Sequence, residues 1–373
     1  MTPPSPASDP RDDESRRLDD KIEHHIEDAG AGDFDGLALE VFAYQYARNA
    51  PYRRYCDRID RSPADVRSWR DVPAIPASAF GAARLACFPP SATGLTFVSS
   101  GTTSRGNASR HELETAALYD ASLVSHYRAR VLPDARSMKH VVLAPDFAEA
   151  PSSSLSYMLS KIVDVAGAPG SGFFIRDGEL DFDGAAAALR DGDGPVVVFG
   201  TAFAFVHFFD RCLERDLRFQ LPIGSRIVET GGFKGKSREV ARDELYASFG
   251  QLFGVPRVLC LSEYGMCELT SQWYDANLDD YFAGRAPRVD VKVGPHWARA
   301  TVVDPVTAQP VAAGEEGLIQ FFDLSNRGSV SAILTADLGK EADGGIVLLG
   351  RSAGALPKGC SIAVDALLRR DDD

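Results

Sequence analysis

Basic residues are in deficit. The chain carries 40 Lys and Arg against 53 Asp and Glu, a formal net charge of -13. Sequence-independent binding to nucleic acid needs clustered Lys and Arg to release counterions, so nucleic acid is excluded as a partner. A single nucleotide is not, because one loop can supply local donors against a negative background. Cysteine is scarce as well. Cys56, Cys87, Cys212, Cys260, Cys267 and Cys360 form no CxxC pair and no zinc-type spacing, which predicts a reduced, cytoplasmic setting. No apolar run is long enough to span a bilayer. The longest, VVVFGTAFAFVHFF at 196–209, contains Gly200 and His207. The N-terminal MTPPSPASDPRDDESRRLDD has no apolar h-region, so no secretory signal is expected. The pattern G-x-x-x-x-G-K-[ST] is also missing, which leaves a Walker-type nucleotide fold unsupported.

What is present is an ordinary globular balance, 45% hydrophobic and 25% charged, over 373 residues. That length is a prior for two or three lobes and suffices for a large core. Composition predicts a disordered extension over 1–16. Phe34, Leu37, Val41 and Phe42 fall on one face of an amphipathic helix that Pro51 should end. Short apolar runs at 140–144, 195–200, 225–230 and 257–262 alternate with helical stretches such as 182–190 and 237–253. This predicts an α/β core over 17–281 with a mainly parallel sheet flanked by helices. From 282 to 350 the runs RVDVKV, ARATVVD, GLIQFFD, VSAIL and GIVLLG predict a β-rich subdomain, followed by a short tail over 351–373.

Four loops could carry chemistry. GLTFVSSGTTSRGN reads as strand, hydroxyl-rich turn, then helix. Ser99, Ser100, Gly101, Thr102, Thr103 and Ser104 place donors where backbone N–H groups can form an anion-binding concavity. A plain Ser/Thr-rich loop fits that stretch equally. In ETGGFKGK, Gly231 and Gly232 permit a close approach by a ligand or by another backbone. In LSEYGMCEL, Tyr264 beside Gly265 can cover a purine face. Glu268, four residues on, is a hard-oxygen ligand of the kind Mg2+ takes together with substrate phosphates. In ILTADLG and LLGRSAGALPKGCS, Asp337 suits a ribose diol and Arg351 offers a fixed fork of donors. His207 reads as a core histidine, and FGTAFAFVHFFD as lining or underlying a substrate pocket. Each loop alone is accounted for by a turn or a surface side chain.

Taken in order, the hydroxyl-rich loop, the Gly-Gly turn, Tyr-Gly-x-x-Glu, Thr-x-Asp and Gly-Arg resemble the adenylate-forming superfamily. The resemblance is closest to the LuxE-type acyl-protein synthetases. It is carried by ETGGFKGKSREVARDELY, EYGMCELTSQWYD, FFDLSNRGSVSAILTADLG and LLGRSAGALPKGCSI, and runs from about Phe34 to about Leu368. It implies that Ser100, Gly101, Thr102 and Thr103 hold ATP phosphates. It further implies that Gly231 and Gly232 edge the adenine pocket, Tyr264 stacks on adenine, Glu268 binds Mg2+, and Asp337 with Arg351 holds the ribose. The chain departs from the superfamily pattern in lacking Gly-x-Pro-Lys after the phosphate loop. It also has TAD for Thr-Gly-Asp or Thr-Glu-Asp, and PKGCS for Arg-Gly-Cys-Ser.

The implied activity is ATP- and Mg2+-dependent conversion of a carboxylic acid, a fatty acid in that branch, into an acyl-adenylate, with transfer to a thiol. The resemblance proposes Cys360 as that thiol, with Lys358 favouring the thiolate by its charge. An extended tether of nine residues from Arg351 would reach about 30 Å. The acyl group would then pass to an acyl reductase or another acyl-accepting protein. Relatives continue past the hinge Arg into a swinging domain of about 100 residues that carries an adenylation Lys. Here 22 residues follow Arg351, so Lys234, Lys236 or Lys358 is expected to replace that cation. A ligase handing the adenylate to CoA, a carrier protein or an amine, and a nucleotide-binding scaffold without catalysis, stand as alternatives.

Overall fold

In the computed structural model, which describes residues 9–28, 32–99, 108–231 and 240–352, one sheet of twelve strands organises the chain. Its strands in chain order are β1 (Ile75–Pro76), β2 (Lys139–Leu143), β3 (Gly172–Phe173), β4 (Val196–Thr201), β5 (Arg226–Thr230), β6 (Cys260–Tyr264), β7 (Trp273–Asp275), β8 (Val291–Val293), β9 (Ala298–Val303), β10 (Gly317–Asp323), β11 (Ala332–Ala342) and β12 (Gly345–Arg351). Their spatial order is β9-β10-β11-β12-β8-β7-β6-β5-β4-β2-β3, with β1 alongside β11.

The sheet changes character at β7. Strands β3, β2, β4, β5 and β6 pair in parallel. Their sequences are near-continuous apolar runs because both faces are covered. Val196, Val197, Val198 and Phe199 are all buried. From β6–β7 onward the pairs of the path are antiparallel, as expected where Gly, Asp and Pro turns separate short strands. The strands of 291–351 thus continue the same hydrogen-bonded sheet as the parallel core.

Helices Ala117–Val131, Ser154–Ala166, Phe182–Arg190, Ala202–Glu214 and Arg242–Phe253 belong to the parallel half. Ala202–Glu214 and Arg242–Phe253 pack through aromatic rings. Phe205 meets Phe249 at 4.9 Å between ring centroids and Phe209 meets Phe253 at 5.2 Å, and burying each such side chain is worth about 1.5–3 kcal/mol. Phe205, Phe208 and Phe209 are therefore spent on helix packing. His207 lies on the opposite face and is exposed, which corrects its reading as a core histidine.

Three further expectations change. The N-terminal extension is shorter than 1–16. A helix runs Asp13–Glu27, Asp12 accepts the Ser15 N–H as its N-cap, and Ser15 and Asp19 are buried. Pro51 does not stop the preceding helix. That helix ends at Arg48, and Pro51 sits in the first turn of the next, Ala50–Arg58, where its missing N–H costs nothing. The hydroxyl-rich stretch does not lead into a helix. Leu95–Val98 pairs antiparallel with Arg110–Leu113, from Leu95↔Leu113 to Val98↔Arg110, so the stretch connects the arms of a hairpin.

A buried ionic cluster ties the N-terminal helix to the rest. The Arg327 guanidinium donates to both oxygens of Asp19 at 2.6 Å, to Tyr44 Oη at 3.1 Å and to Glu114 at 3.2 Å. Glu114 directly follows the second hairpin arm.

Candidate active site

Open parallel sheets place ligands outside the carboxyl ends of their strands. Here β5 and β6 end side by side, with Thr230 opposite Glu263. Gly231 follows with φ of 69° and open space around it, a conformation that costs glycine little. β6 ends at Tyr264, and the loop 265–272 follows. Gly265 gives room to the Glu263 carboxyl. A Cβ there would lie 2.6 Å from Glu263 Oε1.

Tyr264 is half-buried, and its ring packs on Phe321 at 5.6 Å and 31°. Its hydroxyl donates to Asp337 Oδ2 at 2.8 Å. Burial, then the Asp337 charge, raises the Tyr264 pKa well above its ordinary value, so the phenol stays a donor. Asp337 on β11 faces Arg351 on β12 in register, and Arg351 Nε donates to Asp337 Oδ1 at 3.2 Å. Thr335 of the TAD stretch steadies Asp337 by accepting its backbone N–H at 3.1 Å. Each carboxylate oxygen keeps lone-pair capacity beyond these bonds.

Glu268 is buried at 7% exposure. Its carboxyl is raised by desolvation, opposed by a hydrogen bond from Ser109 and by the positive charge of Arg351, with Asp337 adding to the rise. Tyr264, Glu268, Asp337 and Arg351 are therefore brought into one electrostatic neighbourhood from three parts of the chain. Ser99 closes the hairpin base: its N–H donates to the Ser109 carbonyl at 3.0 Å and its hydroxyl accepts the Ser109 N–H at 2.9 Å. Ser100, Gly101, Thr102, Thr103, Ser104, Gly232, Lys234, Lys236, Lys358 and Cys360 lie outside the described residues.

A metal ion fits this site in one way. Among the described residues no three His, Cys, Asp or Glu side chains gather as a ligand set. Glu268 is a buried carboxylate whose ionisation a cation would favour. One protein carboxylate completed by substrate phosphates is the manner in which Mg2+ is commonly held.

Sequence reasoning missed Glu263, Ser109, His111 and Asn326. Glu263 is 5% exposed and accepts a hydrogen bond from Thr230. Burial pushes its carboxyl up to about 7, opposed first by Thr230 and then by Lys292. Beside it, Glu229, Asp275, Lys292 and Arg242 form a further charged group in which Lys292 pairs with Asp275. The one sequence signal was an acidic residue closing an apolar strand, directly before Tyr264.

Of the described cysteines, Cys56, Cys87, Cys212 and Cys260 are buried. Burial pushes their thiols up to about 12, 12, 11 and 12 respectively, which makes them inert at neutral pH. Cys267, beside Glu268, is half-buried. Among the described residues no helix is long and apolar enough to cross a membrane.

The family model described as acyl-protein synthetase, LuxE, matches residues 27–368. A long-chain-fatty-acid–luciferin-component ligase of Aliivibrio fischeri is 24% identical over 318 residues, covering 82% of this chain and 78% of its own. The protein of that name from Vibrio harveyi is 24% identical over 359 residues, covering 90% and 88%. Among solved structures, a 2-hydroxyisobutyryl-CoA ligase in the postadenylation state superposes with a TM-score of 0.63 at 14% identity, covering 94% of this chain and 72% of that one. At that identity the likeness is one of fold.

Proposed function

We propose that this chain, which belongs to the LuxE acyl-protein synthetase family, activates a carboxylic acid with ATP and passes the acyl group to a thiol. The observation that carries the reading is the meeting of Tyr264, Asp337, Arg351 and Glu268 beside the carboxyl end of β6. The curated relatives are named as long-chain fatty-acid ligases, and a long-chain fatty acid is the substrate class proposed here.

A carboxylate is a poor acyl donor because its leaving group would be an oxide. In the first step a carboxylate oxygen attacks the α-phosphorus of ATP, the bond to the β-phosphate oxygen breaks, and pyrophosphate leaves. Asp337 accepts from the ribose hydroxyls through the lone pairs that Tyr264 and Arg351 leave open, so the nucleotide is held from its sugar. The Tyr264 ring covers the adenine, and the hairpin loop supplies hydroxyl and backbone donors to the phosphates. Glu268 would hold Mg2+, which when bound offsets the charge on the departing pyrophosphate. These fixed groups lower the barrier by preorganised electrostatics.

In the second step a thiolate attacks the acyl carbon, the carbon–oxygen bond to AMP breaks, and a thioester forms. The four inert thiols leave Cys360 and Cys267, and Cys360, in the polar PKGCS segment beside Lys358, is the proposed acceptor. From there the acyl group passes to a partner protein, which the relatives' name suggests is an acyl-accepting one. The test is Mg2+- and ATP-dependent pyrophosphate exchange with a panel of carboxylic acids. Long-chain acids should support it, and Asp337→Ala should raise the KM for ATP. Absence of exchange with every acid would leave a nucleotide-binding scaffold in place of an enzyme.

A further inference from the structure

Two distant parts of the chain reach adjoining peptide units. His111, on the second hairpin arm, donates from Nδ1 to the carbonyl of Cys267 at 2.9 Å. Asn326, in the turn Leu324–Asn326, donates from Nδ2 to the carbonyl of Glu268 at 2.9 Å. The two carbonyls are consecutive, and both donors are buried, at 0% and 1% exposure. A carbonyl oxygen only accepts, so the ring proton of His111 sits on Nδ1. Desolvation lowers the His111 pKa to about 4, which keeps that tautomer neutral.

The surrounding loop has little else to shape it. Between Tyr264 and Trp273 there is no strand or helix, and its internal backbone bond is Leu269 N–H to the Met266 carbonyl at 3.1 Å. It is held by side chains. Thr270 donates to Asn326 Oδ1. Asp323, which opens the same turn, accepts the Ser271 N–H at 2.8 Å and the Ser271 hydroxyl at 2.9 Å. Ser109, two residues before His111, is close enough to the Glu268 carboxylate to oppose the rise that burial causes.

We infer that His111 and Asn326 are positioning residues that clamp the two peptides flanking Glu268, through the Cys267 and Glu268 carbonyls, and thereby aim the Glu268 carboxylate. The inference rests on the reading of Glu268 as the metal-binding carboxylate. It also links the second hairpin arm to the loop 265–272 through His111.

The experiment uses the full chain and two readouts: hydrogen exchange of the amides in 265–272, and the Mg2+ concentration giving half-maximal pyrophosphate exchange. His111→Leu and Asn326→Ala should each speed exchange in 265–272 by roughly tenfold or more relative to β4. Each should raise the Mg2+ requirement about five- to tenfold, leaving the KM for the carboxylic acid within about twofold. His111→Asn, which restores an N–H near the Nδ1 position, should recover most of both. Gln45→Ala is the control. It removes bonds from Gln45 Nε2 to the Asn326 and Arg327 carbonyls at 3.0 and 3.2 Å, so it should lower the Tm without moving either readout. Unchanged exchange in 265–272 for both test variants, or an equal response to Gln45→Ala, overturns the clamp. If Asn326→Ala fails to fold, the His111→Leu and His111→Asn pair decides alone. Glu268→Gln separates the two ideas. If it leaves the Mg2+ requirement untouched while the test variants speed exchange, the clamp is supported and the metal reading falls.

Discussion

The Tyr264 hydroxyl donates to Asp337 Oδ2 at 2.8 Å, across 73 residues of sequence. One bond therefore joins the residue proposed to cover the adenine to the residue proposed to hold the ribose. Tyr264→Phe keeps the ring and removes the donor. Hydrogen bonds to charged groups are worth about 1.5–3 kcal/mol, reduced here because Asp337 keeps 19% side-chain exposure. The KM for ATP should rise roughly tenfold, with the KM for the carboxylic acid and the Tm little changed. Steady-state pyrophosphate exchange measures this, and an unaltered KM for ATP would detach Asp337 from the nucleotide.

Glu263 predicts an opposite pH response to that of a surface carboxylate. Its carboxyl is raised from 4.5 to about 7, chiefly by burial. The neutral acid is the form the fold favours. Its contribution is complete below the unfolded value and is lost as pH rises through the folded one. Glu263→Gln stays neutral and still accepts from Thr230. The stability of this variant relative to the parent should therefore grow between about pH 5 and pH 8, by up to about 3 kcal/mol. Urea denaturation at both pH values reads this directly. A difference that stays flat, or shrinks with pH, would mean Glu263 is ionised throughout.

Arg327 anchors helix Asp13–Glu27 through Asp19 and the hairpin through Glu114. Removing the guanidinium takes away Glu114's partner and leaves Asp19 with Arg11, whose Nη1 donates to it at 2.9 Å, so the cost falls at the lower end of the about 3–5 kcal/mol of a broken buried pair. Arg327→Leu should lose that much. Arg327→Lys should recover little, because an ammonium cannot serve both Asp19 oxygens as a planar fork does. Chemical denaturation tests both variants, and full rescue by Lys would show that charge alone suffices.

The acceptor thiol is decided by mass. The parent chain, given ATP, Mg2+ and a long-chain acid, should gain one acyl mass that hydroxylamine removes. Cys360→Ser should still exchange pyrophosphate but carry no labile acyl group, and Cys267→Ser should still be acylated. If Cys267→Ser abolishes labelling while Cys360→Ser retains it, the half-buried thiol beside Glu268 is the acceptor.

Local pattern decided a good deal of this protein. A strand of consecutive valines needs cover on both faces, so the run at 196–199 announced a parallel α/β sheet. Short runs between Gly, Pro and Asp turns announced a β-rich part, and the structure makes its pairs antiparallel. Tyr264, Gly265, Glu268, Asp337 and Arg351 could be singled out because each sits within a few residues of a strand end, and the fold joins Tyr264, Asp337 and Arg351 by hydrogen bonds. What nearby sequence could not carry was partnership. The stretch after Val98 returns as a strand because Arg110–Leu113 pairs with Leu95–Val98, a register that helical propensity past residue 112 concealed. His207 faces solvent because Phe205, Phe208 and Phe209 claim the packed side of their helix. Asp19 with Arg327, Thr230 with Glu263, and His111 and Asn326 on adjoining peptides are separated by tens to hundreds of residues. Their hydrogen bonds, and the raised Glu263 carboxyl, come from burial, which is a property of the assembled core and has no local signature in the chain.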